Sequence, residues 1–142
     1  MDVDLQAVSK DANLDRRKFL EYLGAITVTP VLARSQEGSD MYGLIVKLTV
    51  VPGKCDDMIR ILKKSAADMP GCFSYVVAKD SADENTIWVT EVWDSIASHD
   101  ASLSLPSVKN AIPRAKGIVS SLERLAVTSP VWGVALPAAH TH

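Results

Sequence analysis

The sequence has only two cysteines, Cys55 and Cys72, too few for a disulfide-rich scaffold or a four-thiolate zinc site. It has no surplus of positive charge: 15 Lys and Arg stand against 17 Asp and Glu, for a net charge of −2. That argues against a nucleic-acid binder held by a basic surface. No apolar run approaches the roughly 18 residues that span a bilayer. The GxGxxG, P-loop, CxxC and HExxH motifs are all missing, and with them the usual signatures of dinucleotide, nucleotide, dithiol and zinc-protease chemistry. The 142 residues suit one domain and leave no room for separate nucleotide and substrate domains. An enzyme of this size carries little machinery.

The first 33 residues read differently from the rest. A polar opening is followed by the pair Arg16-Arg17, then Phe19-Leu20, then a short apolar run from Tyr22 that ends in Val31-Leu32-Ala33. Charged region, apolar region and small-residue cleavage site, in that order, describe an export signal. The paired arginines followed by x-Phe-Leu resemble a twin-arginine signal, which implies export machinery as a partner and a periplasmic or secreted mature chain without a membrane span. Glu21 and Pro30 depart from that pattern, and an amphipathic N-terminal helix with a chance arginine pair is the alternative, with the protein staying cytoplasmic. Residues 34–41 form a polar linker, 42–130 the folded domain, and 131–142 a C-terminal tail that is small and polar from Pro137 on. His140 and His142 on that tail read as part of a frayed end.

Periodicity organises the body. Residues 42–50 alternate, with Leu44, Val46, Leu48 and Val50 on one face, and predict a strand. Pro52-Gly53 breaks it. Residues 53–69 place Cys55, Met58, Ile59, Leu62, Ala66 and Met69 at helical spacing, with Asp56 and Asp57 early and Lys63 and Lys64 later, as the helix dipole favours. Residues 72–79 and 86–93 predict two strands joined by the polar turn 80–85, an antiparallel hairpin. A second helix starts after Asp94-Ser95 and runs through His99 towards Leu103. Pro106 and Pro113 divide the next stretch, which predicts a short helix or turn over 107–116. The last strand covers about 118–128. The order βαββαβ, with helices over one face of a four-stranded antiparallel sheet, is a ferredoxin-like α+β sandwich. Trp88 and Val92 point opposite to Val89 and Trp93, so the other face is apolar too. It needs a cover: a second copy in a two-fold homodimer, or the tail from Pro130 folding back. The cysteines flank a helix, more than about 20 Å apart, beyond disulfide reach. Both are expected to be buried small hydrophobes.

Three segments, YGLIVKLTVVPGKCDDMIRIL, PGCFSYVVAKD and TIWVTEVWDSIASHDASLSLPSV, are similar to the antibiotic biosynthesis monooxygenase family, closest to its small quinol monooxygenase-like members. The most specific piece is Glu91-x-Trp93-Asp94-Ser95 followed by a helix and a Leu-x-Pro turn. The resemblance covers about 42–128 and implies a ferredoxin-like fold dimerised into an α+β barrel. It implies oxygenation of an electron-rich aromatic, such as a hydroquinone or anthrone, by O2 without metal or flavin. Many relatives carry histidines where this chain has Ser102 and Ser107. A haem-degrading branch needs an asparagine where Val46 stands and a histidine near Ser102, and of its trio only Trp93 is present.

Oxygenation without a cofactor needs an apolar pocket that binds the substrate, stabilises its deprotonated form and excludes water. The face bearing Val46, Val89, Glu91 and Trp93 is the expected place. Trp93 can stack an aromatic ring or donate its indole N–H, or simply fill the core. Glu91 can serve as a base, its pKa raised by an apolar pocket, or pair with Arg124 or Lys79. His99 can face the pocket as a neutral-pH acid or base, or lie on the solvent side of its helix. Ser102 shares its face one turn on. A non-catalytic dimeric module that holds a small apolar molecule is the competing reading, since the same fold hosts different functions.

Overall fold

The computed structural model describes residues 40–137. The signal segment with Arg16 and Arg17, and the tail histidines His140 and His142, lie outside the described residues. The elements run β1 (Tyr42–Val50), α1 (Cys55–Ser65), β2 (Cys72–Lys79), β3 (Thr86–Trp93), α2 (Ile96–Ser102), α3 (Pro106–Lys116) and β4 (Val119–Thr128). The strands form one antiparallel sheet in the order β2-β3-β1-β4. This is the expected ferredoxin-like fold, with its second helical region split into α2 and α3.

Helix α1 is shorter than its apolar stripe suggests: it ends at Ser65, whose hydroxyl donates to the Leu62 carbonyl at 2.9 Å, and Pro70 keeps only Met69, at the far end of the stripe, out of helical backbone. Pro106 opens α3 at its first turn, where a missing N–H costs nothing. Pro113, expected to divide the segment, sits inside α3 instead. It forgoes one backbone bond, and Val108, Ala111 and Ala115 hold the helix down by burial. Ser95 caps α2, accepting from the Ser98 N–H at 3.1 Å. Gly71 has φ +84, and a Cβ there would collide with the Ser98 side chain. Glycine therefore lets the start of β2 press against α2, where the Asp94 N–H donates to the Gly71 carbonyl at 2.8 Å.

Alternation sends Leu44, Val46, Leu48 and Val50 of β1 and Ile87 and Val89 of β3 to the helix-covered face, where they pack with Met58, Ile61 and Leu62 of α1 and Ala111 and Ala115 of α3. Each buried aliphatic side chain contributes about 1.5–3 kcal/mol relative to exposure. The opposite face carries Ile45, Trp88 and Val92, partly buried, with Val76 exposed. The segment after β4 does not cover this face: Val131, Trp132 and Val134 are 81, 79 and 85% exposed. Cys55 and Cys72 are free thiols and only half-buried, short of the full burial expected, because each sits at the exposed start of its element. No helix among the described residues is long and apolar enough to cross a membrane.

Candidate active site

Strand alternation sets Glu91 and Trp93 on the same side of β3, under the helices. Trp93 is 1% exposed and Glu91 6%. The Trp93 indole N–H donates to Glu91 Oε2 at 2.8 Å. That bond uses the only polar hydrogen of the indole, so Trp93 offers the cavity its ring and not a donor. Helix α2 then brings His99 over the pair. His99 is 4% exposed, which removes the solvent-facing alternative. Its ring meets Trp93 edge-on, with centroids 5.3 Å apart at 84°, and lies 5.3 Å from Tyr42 on the other side. Nε2 stands 3.9 Å from Glu91 Oε2, and Nδ1 stands 3.4 Å from Asp100 Oδ1.

Burial dominates the electrostatics. It raises the Glu91 carboxyl above the usual carboxylate range, against the lowering pull of the Trp93 N–H and the Arg124 charge. It lowers the His99 imidazole below its ordinary value, opposed by the Asp100 hydrogen bond. Both shifts favour neutral forms. The two salt-bridge partners read from the sequence resolve differently: Arg124 acts on Glu91 through its charge, and Lys79 pairs with Asp56 at 2.7 Å. Burial, with a smaller effect of Glu91, pushes the Cys72 thiol up to about 11, so it is a poor nucleophile at neutral pH.

These groups line one end of a cavity of about 60 Å³. Leu48, Met58, Leu62, Val108, Ile112 and Leu122 form much of its apolar wall, and Ser102 joins Glu91, Trp93 and His99 at the polar end. An engineered cavity of about 150 Å³ is known to take benzene. A phenolic ring therefore needs side chains to yield, and Met58 and Met69 on the wall are the most adaptable. Val46 and Val89 do not belong to the wall. Both are 0% exposed in the core, because β1 and β3 pair there directly beneath the helices. The Ser102 hydroxyl is spent on the His99 carbonyl at 2.6 Å, and Ser107 reaches across to the Ser65 carbonyl at 3.3 Å. Both serines act on backbone.

Sequence reasoning missed two residues. Tyr75 lines the cavity and sits directly across from Glu91 in the β2–β3 pairing. Burial and the nearby carboxyl raise its pKa strongly, so it is a neutral phenol, a donor towards the cavity. Counting register back from the hairpin turn finds it, because the pairing runs unbroken from Lys79 and Ile87 to Tyr75 and Glu91, and the irregularity of β2 lies beyond, between Cys72 and Ser74. Tyr42 backs His99 and also lines a second hollow of about 280 Å³ with Met41, Ile96 and Val127. Only the docking of α2 against the start of β1 reveals it.

The comparisons agree with this architecture. Residues 41–114 match the profile of the antibiotic biosynthesis monooxygenase family. A Chloroflexus aurantiacus protein, provisionally described as an antibiotic biosynthesis monooxygenase, is 53% identical over 66% of this chain and 95% of its own, with a TM-score of 0.64. A protein from Caulobacter crescentus with the same provisional description is 20% identical over 66% of this chain and 92% of its own, at a TM-score of 0.58. One from Nitrosomonas europaea is 11% identical over 67% and 94%, at 0.62. These last two are similar in fold. No curated protein matches the chain. The chain belongs to the antibiotic biosynthesis monooxygenase family.

Proposed function

We propose that this protein is a cofactor-independent monooxygenase that oxidises a hydroquinone or related phenolic with O2. The observation that carries the reading is the buried pair Glu91 and His99, 3.9 Å apart at the polar end of an apolar cavity walled by Trp93. Both groups prefer to be neutral, so the pair stands ready to take a proton at the unprotonated nitrogen of His99. Removing the phenolic proton makes the ring electron-rich enough to reduce O2. A C–O bond forms at a ring carbon and the O–O bond breaks. One oxygen atom stays in the product and the other leaves as water. Four electrons come from the substrate, so the hydroquinone ends as a hydroxyquinone and no external reductant is consumed. Tyr75 can hold the substrate oxygen, and the apolar wall keeps water from the reduced-oxygen intermediate.

The working unit we infer is a homodimer paired through the apolar outer face with Ile45, Val76, Trp88 and Val92. With residues 1–33 read as a twin-arginine signal, the enzyme acts outside the cytoplasm. Mass spectrometry of the exported protein should then find an N-terminus near Arg34.

Oxygen uptake with a panel of hydroquinones and anthrone-like phenols, on chelator-treated protein, tests the reaction. Uptake above spontaneous oxidation that falls in Trp93→Phe and Glu91→Gln supports it. Saturable ligand binding without uptake overturns it in favour of a non-catalytic binding module. The internally satisfied Trp93 N–H and Ser102 hydroxyl favour that second reading, because they leave few polar groups for a substrate.

A further inference from the structure

We propose that Asp100 is a positioning residue: its carboxylate holds the His99 imidazole with the proton on Nδ1, so that Nε2 turns its lone pair to Glu91 and the cavity. No sequence motif marks Asp100, and the contact is not a default of helix geometry. Neighbouring residues on a helix point about 100° apart and do not normally face each other. Here the two side chains converge nonetheless, with Nδ1 3.4 Å from Oδ1. The position is otherwise unfavourable. Asp100 lies in the last turn of α2, where the helix dipole disfavours negative charge. The contact is long for a hydrogen bond, as such contacts often are before a substrate binds.

The two nitrogens of His99 have distinct surroundings. Nε2 faces the buried Glu91 of β3, while Nδ1 faces a carboxylate that is 38% exposed. The remaining groups around the ring are Tyr42 of β1, Trp93 of β3 and, through its charge, Arg124 of β4. Asp100 is the acceptor at Nδ1. A carboxylate there makes Nδ1 the donor, which leaves Nε2 as the acceptor on the cavity side. A base oriented by a third group is a recurring catalytic arrangement. Its use in catalysis rests on the proposed oxygenation: when the substrate O–H breaks and an N–H forms at Nε2, the imidazolium charge is balanced by Asp100.

Long-range 1H–15N correlation NMR of the full chain reads the tautomer directly. The His99 signals are assigned by their loss in His99→Gln, since the chain has three histidines. The wild type should show a protonated Nδ1 and an unprotonated Nε2. Asp100→Asn, whose amide oxygen still accepts, should keep that pattern. Asp100→Ala should move the proton to Nε2. In the uptake assay, kcat should fall roughly tenfold or more in Asp100→Ala and recover in large part in Asp100→Asn, with KM little changed. A wild type protonated on Nε2, or an Asp100→Ala variant with an unmoved tautomer, overturns the proposal. The expected tautomers in a protein that consumes no oxygen would uphold the positioning role and defeat the oxygenase reading.

Discussion

The two faces of this sheet are built from similar residues and end in different states. The helix-covered face carries Val89 and Trp93, at 0 and 1% exposure. The opposite face carries Trp88 and Val92, from the same strand one residue out of phase, and leaves them partly open. Both faces obey the same two-residue period. What differs is the cover: α1, α2 and α3 close one face, and nothing in residues 40–137 closes the other. Closing a face completely has a chemical consequence. It takes Glu91 and His99 out of water and shifts both towards neutrality. On the open face the Lys47 ammonium lies 6.0 Å over the Trp88 ring and stays within reach of solvent.

The largest test of that contrast replaces one tryptophan on each face. Trp93→Ala should cost about 3–5 kcal/mol in urea unfolding, because a fully enclosed ring leaves a cavity. Trp88→Ala should cost less than half as much and should act mainly on self-association. Equal losses would mean that the two faces are equally enclosed in solution. Next in size, Val76→Lys places a charge on the open face, where Val76 is 50% exposed. If that face pairs with a second copy, the dimer Kd should rise at least about tenfold, roughly 1.4 kcal/mol, in sedimentation velocity. An unchanged distribution would reject the interface.

The covered face also predicts how stability follows pH. The folded-state pKa of Glu91 is raised above its ordinary 4.5, so the folded protein keeps that proton longer than the unfolded chain. Its contribution is present below 4.5 and is lost as pH rises through the folded value. Glu91→Gln should therefore gain stability relative to wild type as pH rises across that window. His99 has the opposite sign. Its folded pKa is below the ordinary 6.5, so its contribution is present above 6.5 and is lost as pH falls through the folded value. His99→Gln should flatten the acid side of the stability curve. Urea midpoints across pH measure both, and parallel curves for wild type and variants would show that the pair is not desolvated. The smallest effect is expected far from the sheet. Asp57 pairs with Arg60 at 2.8 Å and with Lys54 at 3.5 Å on the exposed side of α1. Asp57→Ala should change stability by no more than about 0.5 kcal/mol.

Much of the site is legible in the sequence. Glu91 and Trp93 are two apart on a strand, so they share a face whichever way the strand packs. His99 is legible as a candidate but not as a buried one, since one short helix turn does not say which side meets the sheet. Val46 and Val89 share the right face yet lie in the core, fully buried and outside the cavity lining, a difference that alternation alone does not encode. Lys79 reads as a possible partner for Glu91, yet it pairs with Asp56 of α1. Tyr75 is legible too, since the register counted from the hairpin turn runs unbroken to its pairing with Glu91, but the alternation of β2 alone does not single it out as a cavity residue.

By itself the sequence determined the strands, the helical stripes, the antiparallel order and the family, because these depend on side-chain period and on turn residues that act locally. Only the tertiary structure decided that the Trp93 indole bonds Glu91, that His99 lies against Tyr42 and Trp93, and that the Asp100 carboxylate stands at its Nδ1. Those facts depend on how far α2 turns and settles against β3, a balance of packing contacts distant in sequence that no local pattern encodes.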